Sequence, residues 1–475
     1  RALFRSPRIL PAGVLDYLFA GGTGQQNLDG RGFHEARLNF FGRINYDYQQ
    51  KYLLELIARY DGSYIFPEDD RFGFFPSISA GWRIDQEPWF NSLTGNFFDR
   101  LKIRASYGQT GNDQIEPYQF LPTFGFNGQY AYADGLATRI SPTRVPNPDI
   151  TWEVATQFDI GLQGGILGER LSFDITYFRH FRDDILWWRS EAVPQIAGFS
   201  LPRENIAQMS NRGIEGELAF SQRISNKVQF RAGANLTYVE DEVEYFAEAE
   251  GVLPWQRNTG QPWNTGLFYI ADGIFHTQEE VDNYPHWPDA RPGDIKFVDY
   301  NNDGVIDGQD RVREGENGTP DIIGAFNMGA SVGNFDFYVL FQGAAQVRQY
   351  VRAGGVGEFG NFFKEDADKR WTPENPNAEG PRAWNREDPY WASNNNTYFL
   401  RDAKYLRLKS ARIAYTLPQR WLQGLGSNSQ IQIYLSGRNL LTWSPLKTMD
   451  PEIRNQAAHE YPLERSYTIG LQMGF

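Results

Sequence analysis

Residues 326–343 read FNMGASVGNFDFYVLFQG. Phe326, Met328, Ala330 and Val332 lead to Gly333-Asn334, after which Phe335, Phe337, Val339 and Phe341 carry the same alternation back. A period of two on both sides of a two-residue turn specifies a β-hairpin with one apolar face. The pattern repeats on either side. ARLNFFGRINYDYQQKYLLELIARYDGS (36–63) places Phe40, Ile44, Tyr46, Tyr48, Tyr52, Leu54, Leu56, Ala58 and Tyr60 on even positions around a turn at Gln49 to Lys51. Further alternating sets are Pro76, Ile78, Ala80, Trp82, Ile84; Leu101, Ile103, Ala105, Tyr107; Trp152, Val154, Phe158, Ile160, Leu162; and Leu171, Phe173, Ile175, Tyr177. Val228 to Tyr238, Ile431 to Leu441 and Tyr467 to Phe475 continue them. About 14 such segments occur, far above the usual five or six strands of a sheet.

One strand breaks phase. In YLRLKSARIAYTLP (405–418) the apolar set is Leu406 and Leu408, then Ala411, Ile413, Tyr415 and Leu417. Either a bulge near Lys409 and Ser410 restores the register, or the first half stands clear of the apolar layer.

The strands are joined unevenly: some turns take two or three residues, whereas 111–149, 244–322 and 345–397 are long excursions. Short turns at one end and long loops at the other mark a transmembrane β-barrel; sandwiches and propellers space their turns more evenly. A mean hydropathy of −0.55 is compatible with this, because half of each barrel strand is polar. Tyr46, Tyr48, Tyr60, Trp82, Trp152, Trp443 and Tyr467 sit where interfacial aromatic girdles are expected. No apolar run reaches the length of a spanning helix. The N-terminus is interrupted by Pro7 and Pro11 and does not read as a secretory signal. A net charge of −13 argues against a nucleic-acid partner, and the absence of cysteine removes disulfides and thiolate metal sites.

Against this wall stands DYNNDGVIDGQD (299–310). Side-chain oxygens fall at loop positions 1 (Asp299), 3 (Asn301), 5 (Asp303), 9 (Asp307) and 12 (Asp310). Gly304 is at the sharp-turn position, Val305 offers its carbonyl at position 7 and Ile306 follows at position 8. That is the spacing of an EF-hand loop, and its hard oxygen donors suit Ca²⁺ in a structural role. Asp310 is one methylene shorter than the usual glutamate, and a solvated acidic turn is the competing reading.

No catalytic constellation is expected. Asp69-Asp70 and Asp183-Asp184 read as loop or rim charges, since strand neighbours point to opposite faces. His34, His180, His276, His286 and His459 lack metal-ligand spacing, and Ser444 to Lys447 (SPLK) has no companion motif. Trp255, Trp263, Trp287, Trp371, Trp384 and Trp391, with Tyr284 and Tyr390, lie in the long loops, where packing is favoured over ligand stacking. No substrate-binding residue is named.

FGFFPSISAGWRI (72–84), LKIRASYGQTGN (101–112), NPDITWEVATQFDIGL (147–162), MSNRGIEGEL (209–218), GDIKFVDYNNDGVIDGQDR (293–311), RWTPENPNA (370–378), YLRLKSARIAYTLP (405–418) and LSGRNLLTW (435–443) occur in this order. Together with the terminal Phe475, they resemble the SusC-like (SusC/RagA) TonB-dependent transporters of the bacterial outer membrane. The resemblance implies an all-β fold: a transmembrane antiparallel β-barrel of 22 strands in a whole family member, of which this chain holds about 14, with long extracellular loops. It implies import of a glycan, oligopeptide or similar nutrient, a SusD-like surface lipoprotein partner and a TonB complex acting on a plug. Residues 1–35 are then expected to be an extracellular loop segment. Residues 36–475 would be the C-terminal barrel portion in contact with outer-membrane lipid, with the plug and TonB box outside this chain. The alternative is a soluble secreted β-rich carbohydrate-binding or hydrolytic module with a structural calcium site, which would bury its apolar faces.

Overall fold

The computed structural model describes residues 34–474 apart from 96, 133–134, 190–200, 316–317, 352–363, 384–394, 423–428, 454–460 and 462. Phe475, Trp384, Trp391, Tyr390, His459 and most of the expected segment 1–35 lie outside them.

Thirteen strands form one antiparallel sheet in which each pairs with its neighbour along the chain. They are β1 (Arg37–Tyr48), β2 (Tyr52–Ser63), β3 (Phe72–Arg83), β4 (Phe98–Asn112), β5 (Glu153–Ile166), β6 (Leu171–Trp188) and β7 (Arg203–Ser225). After them come β8 (Val228–Tyr245), β9 (Ile322–Val332), β10 (Phe335–Ala345), β11 (Tyr405–Thr416), β12 (Gln430–Trp443) and β13 (Ser466–Gly474). The sheet is open, with β1 and β13 at its edges. Strands run from 9 to 23 residues, so the longest exceed the roughly 9 to 11 that cross a bilayer and continue beyond it.

The decisive hairpin forms as expected. Val332 pairs with Phe335 across Gly333-Asn334, with Gly333 at φ 61°, and the cross-strand rings of Phe326 and Phe341 stack at 4.7 Å. At the first turn Gln49 and Gln50 both take positive φ (55° and 57°), and Lys51 N–H donates to the Tyr48 carbonyl at 3.0 Å. Pro76 lies one residue beyond the last β3–β4 pair, where β3 keeps only β2 as a partner through Ala58.

Connections alternate strictly between the two ends. Residues 49–51, 84–97, 167–170, 226–227, 333–334 and 417–429 join strands at one end; 64–71, 113–152, 189–202, 246–321, 346–404 and 444–465 join them at the other.

The even rows of β1 to β3 and their register partners carry exposed apolar side chains: Ile44, Leu56, Ile78, Ile160, Ile175, Leu218, Met328, Ile413 and Leu435 among them. A compact soluble body would bury such rows, so the soluble-module alternative fails on this face. The opposite face is polar. Arg43 pairs with Glu55, Arg104 donates to Asp174 and Thr176 at 2.6 Å each, and Ser106 donates to Asp159 at 3.1 Å.

The phase break in β11 is a bulge. Leu340 faces Ser410 while Phe341 faces Leu408, so Lys409 is the extra residue and both apolar halves stay outward. Three expected outward residues, Trp152, Leu101 and Ile84, are covered instead. Trp152 is buried between Phe66 and Phe75, because the chain turns inward before β5 begins. Ile84 and Leu101 are buried against Phe90, because β3 ends at Arg83 and α1 (Pro88–Thr94) lies back over the short-turn end of the wall.

Candidate functional site at the long-connection end

Residues 246–321 and 346–404 fold onto each other. Phe268, Tyr269, Ile274, Ile295 and Phe297 from the first excursion pack with Tyr350 and Phe399 from the second, and Trp287 and Trp371 close over them. Two-stranded ribbons brace the cluster: Thr265–Phe268 with Val312–Gly315, Ala271–Ile274 with Ile295–Phe297, and Arg348–Tyr350 with Leu400–Asp402. Asp294 and Arg382 form a buried ion pair at 2.6 Å between the excursions. Burial pushes the Asp294 carboxyl above its ordinary range, and the Arg382 guanidinium opposes that shift.

The acidic loop is fastened to this cluster by Ile306, which is 2% exposed, while Val305 beside it points into solvent. Asp299 accepts from the N–H groups of Asp303 (3.2 Å) and Gly304 (2.8 Å), Asn301 from that of Asp303 (3.0 Å), and Asp303 from that of Val305 (2.9 Å). Gly304 has φ 86°, a value that strains any residue with a Cβ. The turn shape expected at position 6 is therefore present. Asp307 and Asp310 form a capping box on the short 3₁₀ turn Gly308–Asp310.

Asp310 is fully buried. It accepts from Tyr300 N–H at 2.9 Å through one oxygen and from Asp307 N–H at 2.8 Å through the other. It pins the two ends of the loop together, a role the spacing alone did not reveal. Among the described residues no three His, Asp or Glu side chains converge to hold a metal ion. The donor chemistry still fits a hard cation: all the candidate ligands are oxygens, and a carboxylate oxygen that accepts one N–H keeps a second lone pair. A strap lies over the far side, where Trp255 Nε1–H donates to the Gln309 carbonyl at 2.9 Å. The Gln256 amide donates to the carbonyls of Gly308 (2.8 Å) and Arg311 (2.9 Å).

The remaining candidates find structural employment. Trp255, Trp263, Trp287 and Trp371 pack within the excursions; Trp263 meets Trp187 at 4.9 Å. His276 and His286 each place Nδ1 2.8 Å from a backbone carbonyl, and His180 lies 3.5 Å from Asp159 on the polar face. Asp183 and Asp184 lie within β6 at its register break rather than in a loop, with Asp184 at φ 56°; Asp69-Asp70 lies in the 64–71 connection.

A sheet apolar on one face and charged on the other, with tight turns at one end and large packed excursions at the other, defines the wall of an outer-membrane β-barrel. Residues 13–440 match the family model described as TonB dependent receptor-like, beta-barrel, and the chain belongs to that family. It is 31% identical to TonB-dependent receptor P26 of Formosa agariphila over 94% of this chain and 47% of the relative. It is 26% identical to TonB-dependent receptor SusC of Bacteroides thetaiotaomicron over 92% of this chain and 44% of that protein. Among solved structures it is similar to the RagAB peptide transporter, with a TM-score of 0.74 and 25% identity, covering 97% of this chain and 50% of that one. The chain thus spans about half the length of the curated relatives it matches. In sequence and fold the chain is thus similar to the SusC-like TonB-dependent transporters of the bacterial outer membrane.

Proposed function

We propose that this chain supplies wall and outer loops to a TonB-dependent importer of a nutrient, a glycan, oligopeptide or similar molecule. The observation that carries this is the pairing of a lipid-facing apolar surface with a polar inner surface lined by Arg43, Glu55, Arg104, Asp159 and Asp174. Such a wall encloses an aqueous path, and the likeness to SusC and RagAB supports a SusD-like lipoprotein as lid and a TonB complex as energy source. Residues 1–35 fit an outer loop segment and 36–475 the barrel portion.

The excursions form the docking rim in this proposal. A Ca²⁺ ion held by Asp299, Asn301, Asp303 and the Val305 carbonyl, with Asp307 and Asp310 shaping the loop, stiffens that rim. No residue of this chain is assigned to bond making or breaking.

The test is isolation of the full-length protein from its native membrane. The importer is expected in the detergent-extracted fraction, with heat-modifiable gel migration, a co-purifying surface lipoprotein and uptake that stops when TonB is deleted. Recovery in the aqueous fraction, or uptake indifferent to TonB, refutes it.

A further inference from the structure

The 84–97 connection folds back along the outside of the wall. Phe90 of α1 packs with Ile84 and Leu101, and Trp82, Ile103 and Phe173 lie against that cluster. Directly opposed residues of antiparallel strands share a face. Leu101 opposes Gly164, Gly164 opposes Phe173, and Phe173 opposes the exposed Leu218; likewise Trp82 opposes Ile103, and Ile103 opposes the exposed Leu162. α1 therefore sits on the outward, apolar face.

It covers a few apolar side chains there and presents others. The helix (PWFNSLT) holds no charged residue; Trp89 is 50% exposed, Leu93 78%, and Phe97 just beyond the helix 55%. Trp89 and Leu93 are one turn apart on one flank of Phe90, and Asn91 lies on the other. The Trp89 ring is 6.4 Å from that of Trp82, so its flank runs along the apolar rows, while Asn91 and Ser92 are exposed on the remaining side. A helix bathed in water would turn Trp89 and Leu93 inward.

The level is that of a membrane boundary. On β2 the outward Tyr52 and Tyr60 bracket Leu54, Leu56 and Ala58, and their β3 partners Trp82 and Phe74 bracket Ala80, Ile78 and Pro76. At about 3.3 Å per residue and a tilt of about 40°, the eight residues from Tyr52 to Tyr60 rise about 20 Å. Leu101, beneath α1, lies two residues past the partner of Trp82, about 5 Å nearer the short-turn end, at the edge of a hydrocarbon band about 25 Å tall. The chemistry there agrees. Glu87 accepts from the Tyr52 hydroxyl at 2.7 Å and from the Trp82 indole N–H at 3.2 Å, and lies 3.5 Å from the Lys51 ammonium. Aromatic bodies against an apolar layer with their polar tips answered on the water side suit the interface.

We propose that α1 is a membrane-surface anchor, with Trp89, Leu93 and Phe97 seated at the boundary of headgroups and acyl chains in the leaflet on the short-turn side. Continuity with the lipid-facing rows of β3 to β6 makes phospholipid the occupant of this surface. The inference rests on the outward face of the wall meeting lipid and is independent of what is imported.

The test uses the full-length protein in phosphatidylcholine nanodiscs, with a spin label at L93C or, as the control on the other flank, N91C. Oxygen should relax the L93C label more than a water-soluble nickel chelate does, and the order should reverse at N91C. Equal access of the chelate to both positions overturns the proposal, and protection of L93C from oxygen and chelate alike would make the surface a protein contact and overturn the lipid assignment. W89F keeps an apolar ring and provides a second reading that spares the fold. Phosphatidylcholine brominated near the heads of its acyl chains should quench part of the tryptophan emission, and W89F should lose a share of that quenchable emission; an unchanged quenchable share overturns the proposal. Only protein incorporated in discs is scored, so failure of the membrane reading itself shows separately, as protein left in the aqueous fraction.

Discussion

The Arg407 guanidinium, 1% exposed on the inner side of β11, donates to the Asp450 carboxylate at 2.6 Å and so ties the 444–465 connection to the wall. Glu452 lies 3.0 Å from the same guanidinium and accepts from Lys409 at 2.7 Å, while the Gln349 amide donates to the Pro451 carbonyl at 2.7 Å. Two cations and two carboxylates interlock at the foot of an excursion. D450A would leave a buried cation half-answered, at a cost of about 3–5 kcal/mol. The expected result is rapid proteolytic cleavage within 444–465 while the strands stay protected. D450N, which keeps one acceptor oxygen, should lie between wild type and D450A.

The two faces of the wall should differ in their tolerance of charge. Ile160 points outward between Ala105 and Tyr177, whereas Ser106 is on the polar face beside Asp159. I160R should destabilise the folded barrel by about 2–4 kcal/mol if its row meets hydrocarbon. S106R, with Asp159 at hand, should change stability by less than about 1 kcal/mol. Urea unfolding in vesicles compares the two.

Terbium is a direct probe of the acidic loop. Trp255 and Tyr300 have ring centroids 5.2 Å apart beside it, so ultraviolet excitation should sensitise a bound Tb³⁺. Emission is expected to rise on titration, to fall when Ca²⁺ competes, and to vanish in D299N/D303N. A silent loop would return it to a hydrogen-bonded turn without a cation.

Ile306 separates packing from coordination. I306A removes a side chain seated among Phe268, Tyr269 and Phe297, at a cost of about 2–4 kcal/mol local to the excursions. Hydrogen exchange should accelerate over 265–315 with no change in β1 to β8. The candidate ligands themselves are left intact.

Tyr284 provides a pH signature. Burial, then its hydrogen bond to Asp272, raises the phenol to about 12. An unfolded tyrosine ionises near 10, so this contribution is complete below pH 10 and is lost as pH climbs from 10 to 12. Alkaline loosening of the 271–297 region, followed by hydrogen exchange, should be weaker in Y284F, which has no phenol to ionise.

The bulge at Lys409 was legible because alternation is counted residue by residue: one extra residue shifts every later side chain to the other face, and the apolar set records the shift. The tight turns at 49–51 and 333–334 were legible for the same reason. Trp152, Leu101 and Ile84 were misplaced because alternation tells which face a residue takes and nothing of what folds over it. Asp310 belonged to the expected ligand pattern, yet its direction depends on where the N–H groups of Tyr300 and Asp307 come to lie.

The order of residues alone determined the strand pattern, the two-faced wall, the uneven connections and the family, since each is a consequence of local periodicity or of motifs in sequence. Tertiary structure decided which partners meet across long separations: Arg407 with Asp450, Asp294 with Arg382, and Ile306 with the aromatic cluster. The reason is physical. Side-chain direction is encoded every two residues, but the neighbour that a side chain finds is chosen only when strand register and loop closure bring distant segments into contact.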